Sequence, residues 1–482
     1  MRVEEARADY LATLVGQKGW PEMAIEEIAD LNPRVDKASI PDDLPVSFVP
    51  MPAVGAADGS IHVEETRPAG EVRKGFTAFL EGDVLFAKIT PCMENGKMAV
   101  VPKLVNGFGF GSTEFHVLRP KPGIDAKYLY YYVSSQSFRG EAERHMTGAV
   151  GQRRVPTTYL KECKIPVAPL DQQKRIVAEI EKQFSCLDEA VANLKRVKTN
   201  LKRYKAAVLK AAVEGRLVET EAELARREGR SYETGEQLLQ RILETRRSQW
   251  KGNGKYKEPA SPDTTDLPEL PEGWVWANID QLADVGTGAT PKRGQSRYYG
   301  GDIPWVTSAV VNVAFVEEAT EFVTAEALAE TNLTLYAPGT LLVAMYGEGK
   351  TRGKCSELRI AATTNQALAA LQTGTSIKEY LKLFLDFNYE ETRKVASGGV
   401  QPNLNLSLVR AICVPLPPVD EQHRIVAEAD RRLSLLRKTE AQVDANLRRA
   451  GRLRRSVVAS GFAGKLHQPG TKINEMENVA HV

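Results

Sequence analysis

The sequence predicts an α+β chain of two mixed, β-rich globular heads in tandem, each followed by a long helix, with the two helices packing as an antiparallel coiled coil. Three observations lead there. Residues 165 to 183, IPVAPLDQQKRIVAEIEKQ, return as residues 414 to 432, VPLPPVDEQHRIVAEADRR, at a shift of 249. Each copy then carries one sustained apolar seam, and the segments upstream repeat more loosely. The chain accordingly divides into an N-terminal segment (1–18), a first head (19–167), a central long helix (168–218), a charged helix and linker (219–272), a second head (273–416), a C-terminal long helix (417–466) and a flexible tail (467–482).

The seams define the helices. In the first copy the apolar residues Ile176, Ile180, Phe184, Leu187, Val191, Leu194, Leu201, Tyr204, Val208 and Ala211 fall in steps dominated by three and four. In the second, Ile425, Ala429, Leu433, Leu436, Val443, Leu447, Ala450 and Val457 do the same. Held over about six heptads, that period makes a narrow apolar stripe on a helix about 65 to 70 Å long. Asp171 and Asp420 follow Pro-rich segments and suit the N-cap; Gly215 and Gly464 suit the C-terminal cap. A lone stripe needs a partner. The chain supplies one, which favours an antiparallel intramolecular pair over a parallel pair or pairing with another protein.

The heads are predicted from a looser repeat. Gly19 and Trp20 match Gly273 and Trp274, and Ile28, Ala29 and Asp30 match Leu282, Ala283 and Asp284, at a shift of 254. Leu80 to Lys97 lies over Ala337 to Lys354 at a shift of 257, each block reading as turn, buried strand and polar loop. Between the halves, Glu233 to Trp250 reads as a charged helix, and the Gly, Pro, Ser and Thr that follow mark a flexible tether.

Composition narrows the function classes. At 482 residues and 42% apolar, the chain is long enough for several cores. Its five cysteines are scattered, without a CxxC pair, which fits a reducing cytoplasm and neither a disulfide framework nor a zinc site. The charged start MRVEEARADY and the lack of a long apolar run argue against secretion and membrane insertion. Each long helix carries eleven Lys and Arg against six Asp and Glu, +5 apiece, so with +2 overall the remainder is acidic by 8. The basic residues gather at Lys195 to Lys210 and Arg448 to Arg455, as a solvated helix face or a surface near phosphates.

One stretch suggests catalysis. AMYGEGKT (Ala344 to Thr351) follows an apolar strand and matches a phosphate-loop pattern. Yet Gly349, Lys350 and Thr351 fall opposite Cys92, Met93 and Glu94, while the later Gly353 and Lys354 match Gly96 and Lys97. A phosphate loop must also open a helix, and TRGKCSELRIAATT is Gly-interrupted and β-branched. ATP hydrolysis is therefore the disfavoured reading. There is no HExxH, no GxSxG, no dinucleotide context for the lone GTG at Gly286, and no Asn/Asp-Pro-Pro-aromatic motif of an adenine methyltransferase.

At this point the chain resembles the DNA-specificity subunit of type I restriction-modification systems. The resemblance rests on PLDQQKRIVAEIEKQFSCLDEAV with KAAVEGRL, on PPVDEQHRIVAEADRRL with GFAGKL, on LPEGWVWANIDQLADVGTGATPKR, and on SGGVQPNLNLSLVRAICVPLPP. It implies that the heads are target-recognition domains, each reading half of a bipartite asymmetric site in double-stranded DNA, and that the helices act as spacer and dock. It further implies two modification (methyltransferase) subunits and two restriction (translocase) subunits as partners. S-adenosylmethionine, ATP and Mg would be bound by those partners, with no cofactor, metal or catalytic residue in this chain. A pseudo-two-fold object of this kind suits half-sites about 34 to 36 Å apart.

Candidate DNA-binding residues in the first head are Lys88, Thr90, Glu94 and Lys97 after the repeated strand, with Arg144, Thr147, Gln152, Arg153 and Arg154 in MTGAVGQRR. In the second they are Lys292, Arg293, Tyr346, Lys350, Arg352 and Lys354, with Asn365, Gln366, Gln401 and Asn403. Gln152 and Gln401 coincide at the shift of 249, although the first head has QRRVP where the second has QPNLN. The competing reading is a coiled-coil adaptor with two protein-binding heads, which salt dependence would separate from phosphate binding.

Overall fold

A computed structural model of the chain describes residues 19–62, 65–250, 254–346, 351–389 and 404–464. The chain forms two compact units, one of Met1–Arg196 with Val443–Val482 and one of Val197–Gln442. The first contains the first head and the second contains the second, and each long helix contributes to both.

In the first head a four-stranded antiparallel sheet runs in the order Ala29–Leu31, Phe115–Pro120, Val84–Ala87, Met98–Val100. Val84, Leu85, Phe86 and Ala87 are all buried, as expected of a central strand covered on both faces. A second sheet, Glu65–Pro68, Pro45–Val49, Phe108–Gly111, Thr77–Leu80, contains one parallel pair. The strands that enter and leave the head, Glu22–Ala24 and Lys164–Pro166, pair with each other. The exit strand leads into the central helix.

The second head repeats the first sheet strand for strand. Asp284–Thr287, Leu368–Gln372, Leu341–Ala344 and Cys355–Leu358 lie in the same order, with Phe315–Val316 added at the edge. The registers repeat as well. Val84 faces Leu118 as Leu341 faces Leu371, and Asp30 faces Arg119 as Asp284 faces Gln372. Val275–Asn278 pairs with Cys413–Leu416 as the entering and leaving strands, and Ile279 donates to the Ile412 carbonyl (3.1 Å) as Ile25 does to that of Cys163 (2.9 Å). The two heads are thus one fold, and register is the property that a buried face fixes most strongly. A three-stranded sheet, Glu321–Val323, Tyr299–Val306, Thr363–Thr364, completes the second head.

The long helices are Leu170–Val213 and Val419–Phe462, 44 residues each and offset by 249 at both ends. At about 1.5 Å per residue each is about 66 Å long. The expected C-terminal glycines hold: Gly215 and Gly464 have φ of +68° and +70°, and the Arg216 amide reaches back to the Ala211 carbonyl (2.8 Å). The N-terminal expectation is corrected. Asp171 and Asp420 lie one residue inside the first turn rather than at the cap. The turn is tied instead by the buried amides of Gln173 and Gln422, which donate to the carbonyls of Ala168 (2.7 Å) and Pro417 (2.7 Å).

Head and helix are locked together in the same way twice. Trp20 Nε1 donates to Gln172 (3.2 Å) and Trp274 Nε1 donates to Glu421 (3.0 Å), residues that coincide at the helix shift. Glu421 also accepts the Glu221 amide (2.8 Å), and Arg424 pairs with Glu221 (2.7 Å). In the first unit Ile176, Val177, Ile180 and Phe184 share a core with Tyr128, Trp20, Val457, Val458 and Phe462. In the second, Val208, Leu209, Ala212 and Val213 share one with Trp274, Ile425, Ala429 and Leu433. Tyr204, expected in the seam, is 47% exposed, because the cores gather at the helix ends beside the heads and thin out toward the middle.

The expected charged helix is Gly235–Ser248, and a second one, Glu221–Glu228, is closed by a Thr220/Glu223 capping box. The described part of the expected tether is held at several points. The Ala260 carbonyl takes the Asn278 amide (2.8 Å), the Pro268 carbonyl takes Trp276 Nε1 (3.2 Å), and Glu258 pairs with Arg247 (2.6 Å). Among the described residues no helix is long and apolar enough to cross a membrane.

The Phe462 ring lies 4.8 Å from that of Tyr128 and 5.0 Å from that of Tyr132. Phe462→Ala is expected to destabilise the first unit by about 2 kcal/mol, as a half-buried aromatic that leaves two ring contacts. Leu435→Ala, on the same helix but 62% exposed, should change stability by no more than about 0.5 kcal/mol. Denaturant unfolding of the two variants beside the parent checks the contrast.

Candidate DNA interface

The repeated strand of each head ends in a loop that the structure brings against the segment preceding the head's last helix. In the first head Val155 donates to the Lys88 carbonyl (2.9 Å); in the second, Leu404 donates to that of Met345 (3.1 Å). These positions correspond at the two shifts found in the sequence. The two stretches singled out in the first head, Lys88 to Lys97 and Arg144 to Arg154, are therefore one surface.

Its centre is a hairpin closed by Thr147 and Arg154, whose backbones exchange hydrogen bonds of 3.0 and 2.8 Å. The Gln152 amide turns back to the Ala149 carbonyl (2.9 Å). Gly148, at φ +122°, has no room for a side chain, since a Cβ there would lie 2.9 Å from the Gln152 carbonyl oxygen. Thr90 donates both its amide and its hydroxyl to the Arg153 carbonyl (3.0 Å each). Arg154 makes a two-pronged contact with Glu114 (2.9 and 2.8 Å), the geometry in which guanidinium and carboxylate pair best.

Not every candidate side chain points outward to a ligand. Lys97 donates to the Met51 carbonyl (3.0 Å), and Arg154 is committed to Glu114, so both hold the loops. Glu94 and Glu143 lie 3.8 and 3.7 Å from Arg153, and Arg144 pairs with Glu141 (2.9 Å) on the exposed side of the helix Gln136–Arg144. Gln152 and Thr147 are exposed, and Lys88 and Thr90 are half-buried.

Two anchoring residues were missed in the sequence. His116 takes a hydrogen bond from Asn32 at Nδ1 (3.2 Å), which leaves Nε2 as the protonated nitrogen donating to the Val155 carbonyl (2.9 Å). Burial pushes its pKa down, consistent with a neutral ring. Glu114 is the other, and no short-range signal links it to Arg154 forty residues away.

In the second head Thr290 donates to Gln366 (2.6 Å) and Trp305 Nε1 to the Ala289 carbonyl (3.1 Å), so the loop bearing Lys292 and Arg293 meets the one bearing Asn365 and Gln366. Asn365 is partly spent, accepting the Ala367 amide (3.1 Å). Lys292 is exposed; Arg293 stands over the rings of Tyr299 (5.1 Å) and Trp305 (5.2 Å) and pairs with Glu321 (2.7 Å). Tyr346 is 39% exposed, Arg352 is half-buried, and Lys354 donates to Asn312 (2.8 Å). Lys350, Gln401 and Asn403 lie outside the described residues. After Thr351 the chain turns into Cys355–Leu358, antiparallel to Leu341–Ala344. A strand stands where a phosphate loop requires a helix N-terminus.

The Arg154 hydrogen bond and charge hold Glu114 below the usual carboxylate range, against the opposing effect of its own burial. A depressed carboxylate stabilises the fold at neutral pH, and that contribution is lost only as pH falls below the ordinary 4.5 toward the lower folded value. Protection of the Arg154 amide from hydrogen exchange is therefore expected to persist through mild acid and fail below about that pH. Glu114→Gln should show the loss already at neutral pH, as amide protection factors would record.

A family model described as the type I restriction modification DNA specificity domain matches residues 17–199 and 271–442. The EcoEI specificity subunit of Escherichia coli is 27% identical over 471 residues, covering 85% of this chain and 77% of its own length. The EcoAI specificity subunit of Escherichia coli is 31% identical over 309 residues, 55% of this chain and 51% of its own. Among solved structures, the HsdS subunit from Thermoanaerobacter tengcongensis matches with a TM-score of 0.58 at 19% identity, over 93% of this chain and 98% of its own. A chain from a study of complex assembly and conformational transition of the type I R-M system matches with a TM-score of 0.66 at 19% identity and the same coverage. With the two matched blocks falling on the two heads and their helices, the chain belongs to the type I restriction-modification DNA-specificity family, the non-catalytic DNA-recognition component of those systems.

Proposed function

We propose that each head reads one half of a bipartite, asymmetric duplex site, and that the two long helices pair antiparallel as a coiled coil that spaces the heads. The observation that carries this is the strand register, repeated residue for residue in both heads while the loops beyond the repeated strand differ. A shared scaffold with unlike loops suits two half-sites of unlike sequence, since phosphate contacts set position and base-edge contacts set sequence. The helix surfaces serve as the dock for two modification and two restriction subunits, which contribute S-adenosylmethionine, ATP and Mg.

Base reading is assigned to Gln152 and Arg153 in the first head and to Lys292, Tyr346 and Gln366 in the second, with Lys350, Gln401 and Asn403 retained as candidates on sequence. Lys88, Thr90, Arg144, Thr147, Arg293, Arg352 and Asn365 are assigned to backbone contacts or loop support. Glu94, Lys97, Arg154 and Lys354 hold the loops in place.

The test is selection from a randomised duplex library by the chain in complex with its cognate modification subunits, at two salt concentrations. Two unlike short motifs at a fixed separation are expected, with binding weakened at least a thousandfold between about 50 and about 200 mM salt if six or more phosphates are neutralised. Binding indifferent to salt and without an enriched motif would favour the protein-adaptor reading.

A further inference from the structure

The hairpin of the first head carries at its tip an apolar side chain fully open to solvent: Val150 is 100% exposed. Scattered exposed apolar residues are ordinary. This one differs in its setting. Its loop is closed by the Thr147 and Arg154 backbone pair, clamped from one side by Thr90 on the Arg153 carbonyl and from the other by the Arg154 and Glu114 fork. Val150 therefore stands on a fixed support. Two and three residues on are exposed Gln152 and half-buried Arg153, whose guanidinium is in ion-pair range of Glu94 (3.8 Å) and Glu143 (3.7 Å) but beyond hydrogen-bond distance of either.

A two-stranded ribbon fits the major groove, where thymine alone presents a C5-methyl group among the polar base edges. A tip closed at its base, with a branched apolar end and a carboxamide and a guanidinium two and three residues on, matches that mixture. We infer that Val150 packs against a thymine C5-methyl in the half-site read by the first head, with Gln152 and Arg153 toward the neighbouring base edges. Arg154 is a positioning residue, acting on Val150 through its contact with Glu114. This rests on the proposed reading of DNA by the heads.

The experiment uses the complex with cognate modification subunits and the two-part site selected by the parent chain. Each thymine of the first half-site is replaced in turn by deoxyuridine, which removes only the methyl group. One position is expected to weaken parent binding roughly fourfold, the worth of one buried methyl. Val150→Ala should bind the unmodified site with the same loss, gain nothing further from deoxyuridine there, and keep its second half-site. Val150 is fully exposed, so the variant has no fold to lose.

Arg154→Gln, which removes both the fork to Glu114 and the charge, should weaken preference across the whole first half-site and leave the salt slope unchanged. A slope reduced by about one would make Arg154 a phosphate contact instead. A flat deoxyuridine scan, an unchanged Val150→Ala, or a Val150→Ala loss uniform over all sequences each overturns the assignment. Absence of any two-part site in the parent library is a different result: it removes the DNA-reading model itself, before any variant is made.

Discussion

A helix about 66 Å long with a single apolar stripe has no stable existence alone in water, because one face needs cover and the rest needs solvent. Everything else in this chain is arranged around that constraint. Both helices start at the exit strand of a head, end at a left-handed glycine, and bury their terminal turns against a head. Tryptophan makes the joint in each half, with its ring nitrogen bonded to the third helical residue, Gln172 or Glu421. The close approach of a Cβ on Gly215 to Pro271 (2.6 Å) and to Trp274 (3.2 Å) explains why glycine ends the central helix.

The heads divide labour between a scaffold and its loops. The buried four-stranded sheet has one register in both copies, since a slip of one residue would turn every core side chain outward. The loops bear no such restriction. In the first head, arginines are split between fixed structural use, as in Arg154 on Glu114 and Arg119 on Asp83, and looser pairing near the hairpin, as in exposed Arg144 with Glu141 and half-buried Arg153 with Glu94 and Glu143. In the second, Arg293 rests over two aromatic rings, a different way of holding a cation at a surface. Unlike loops on a common frame are what a protein needs to discriminate two different short sequences.

The basic excess of the long helices is likewise partly consumed inside the fold. Arg454 pairs with Asp188 (2.5 Å) and lies over the Phe184 ring (4.0 Å), and Arg431 and Arg432 share Glu428. Formal charge read from a sequence therefore overstates the cationic surface. The candidate residues suffer the same discount: Lys97 and Lys354, which align in the two copies, are both tied to acceptors within their own head.

By itself the sequence determined the duplicated organisation, the extent of both helices to within a few residues, and the position of the repeated strand. All of these rest on periodicity or on residues close in the chain, where local geometry is enough. It placed the candidate loops but not their roles, and it put the helix N-cap two residues late, at Asp171 and Asp420, because the side chains that tie the first turn are Gln173 and Gln422. Only the tertiary structure decided that Lys88 to Lys97 and Thr147 to Arg154 form one surface, that Glu114 holds Arg154, and that His116 fixes Val155. Those contacts join residues tens of positions apart, and no spacing in the chain encodes a pairing made by the fold of the sheet between them.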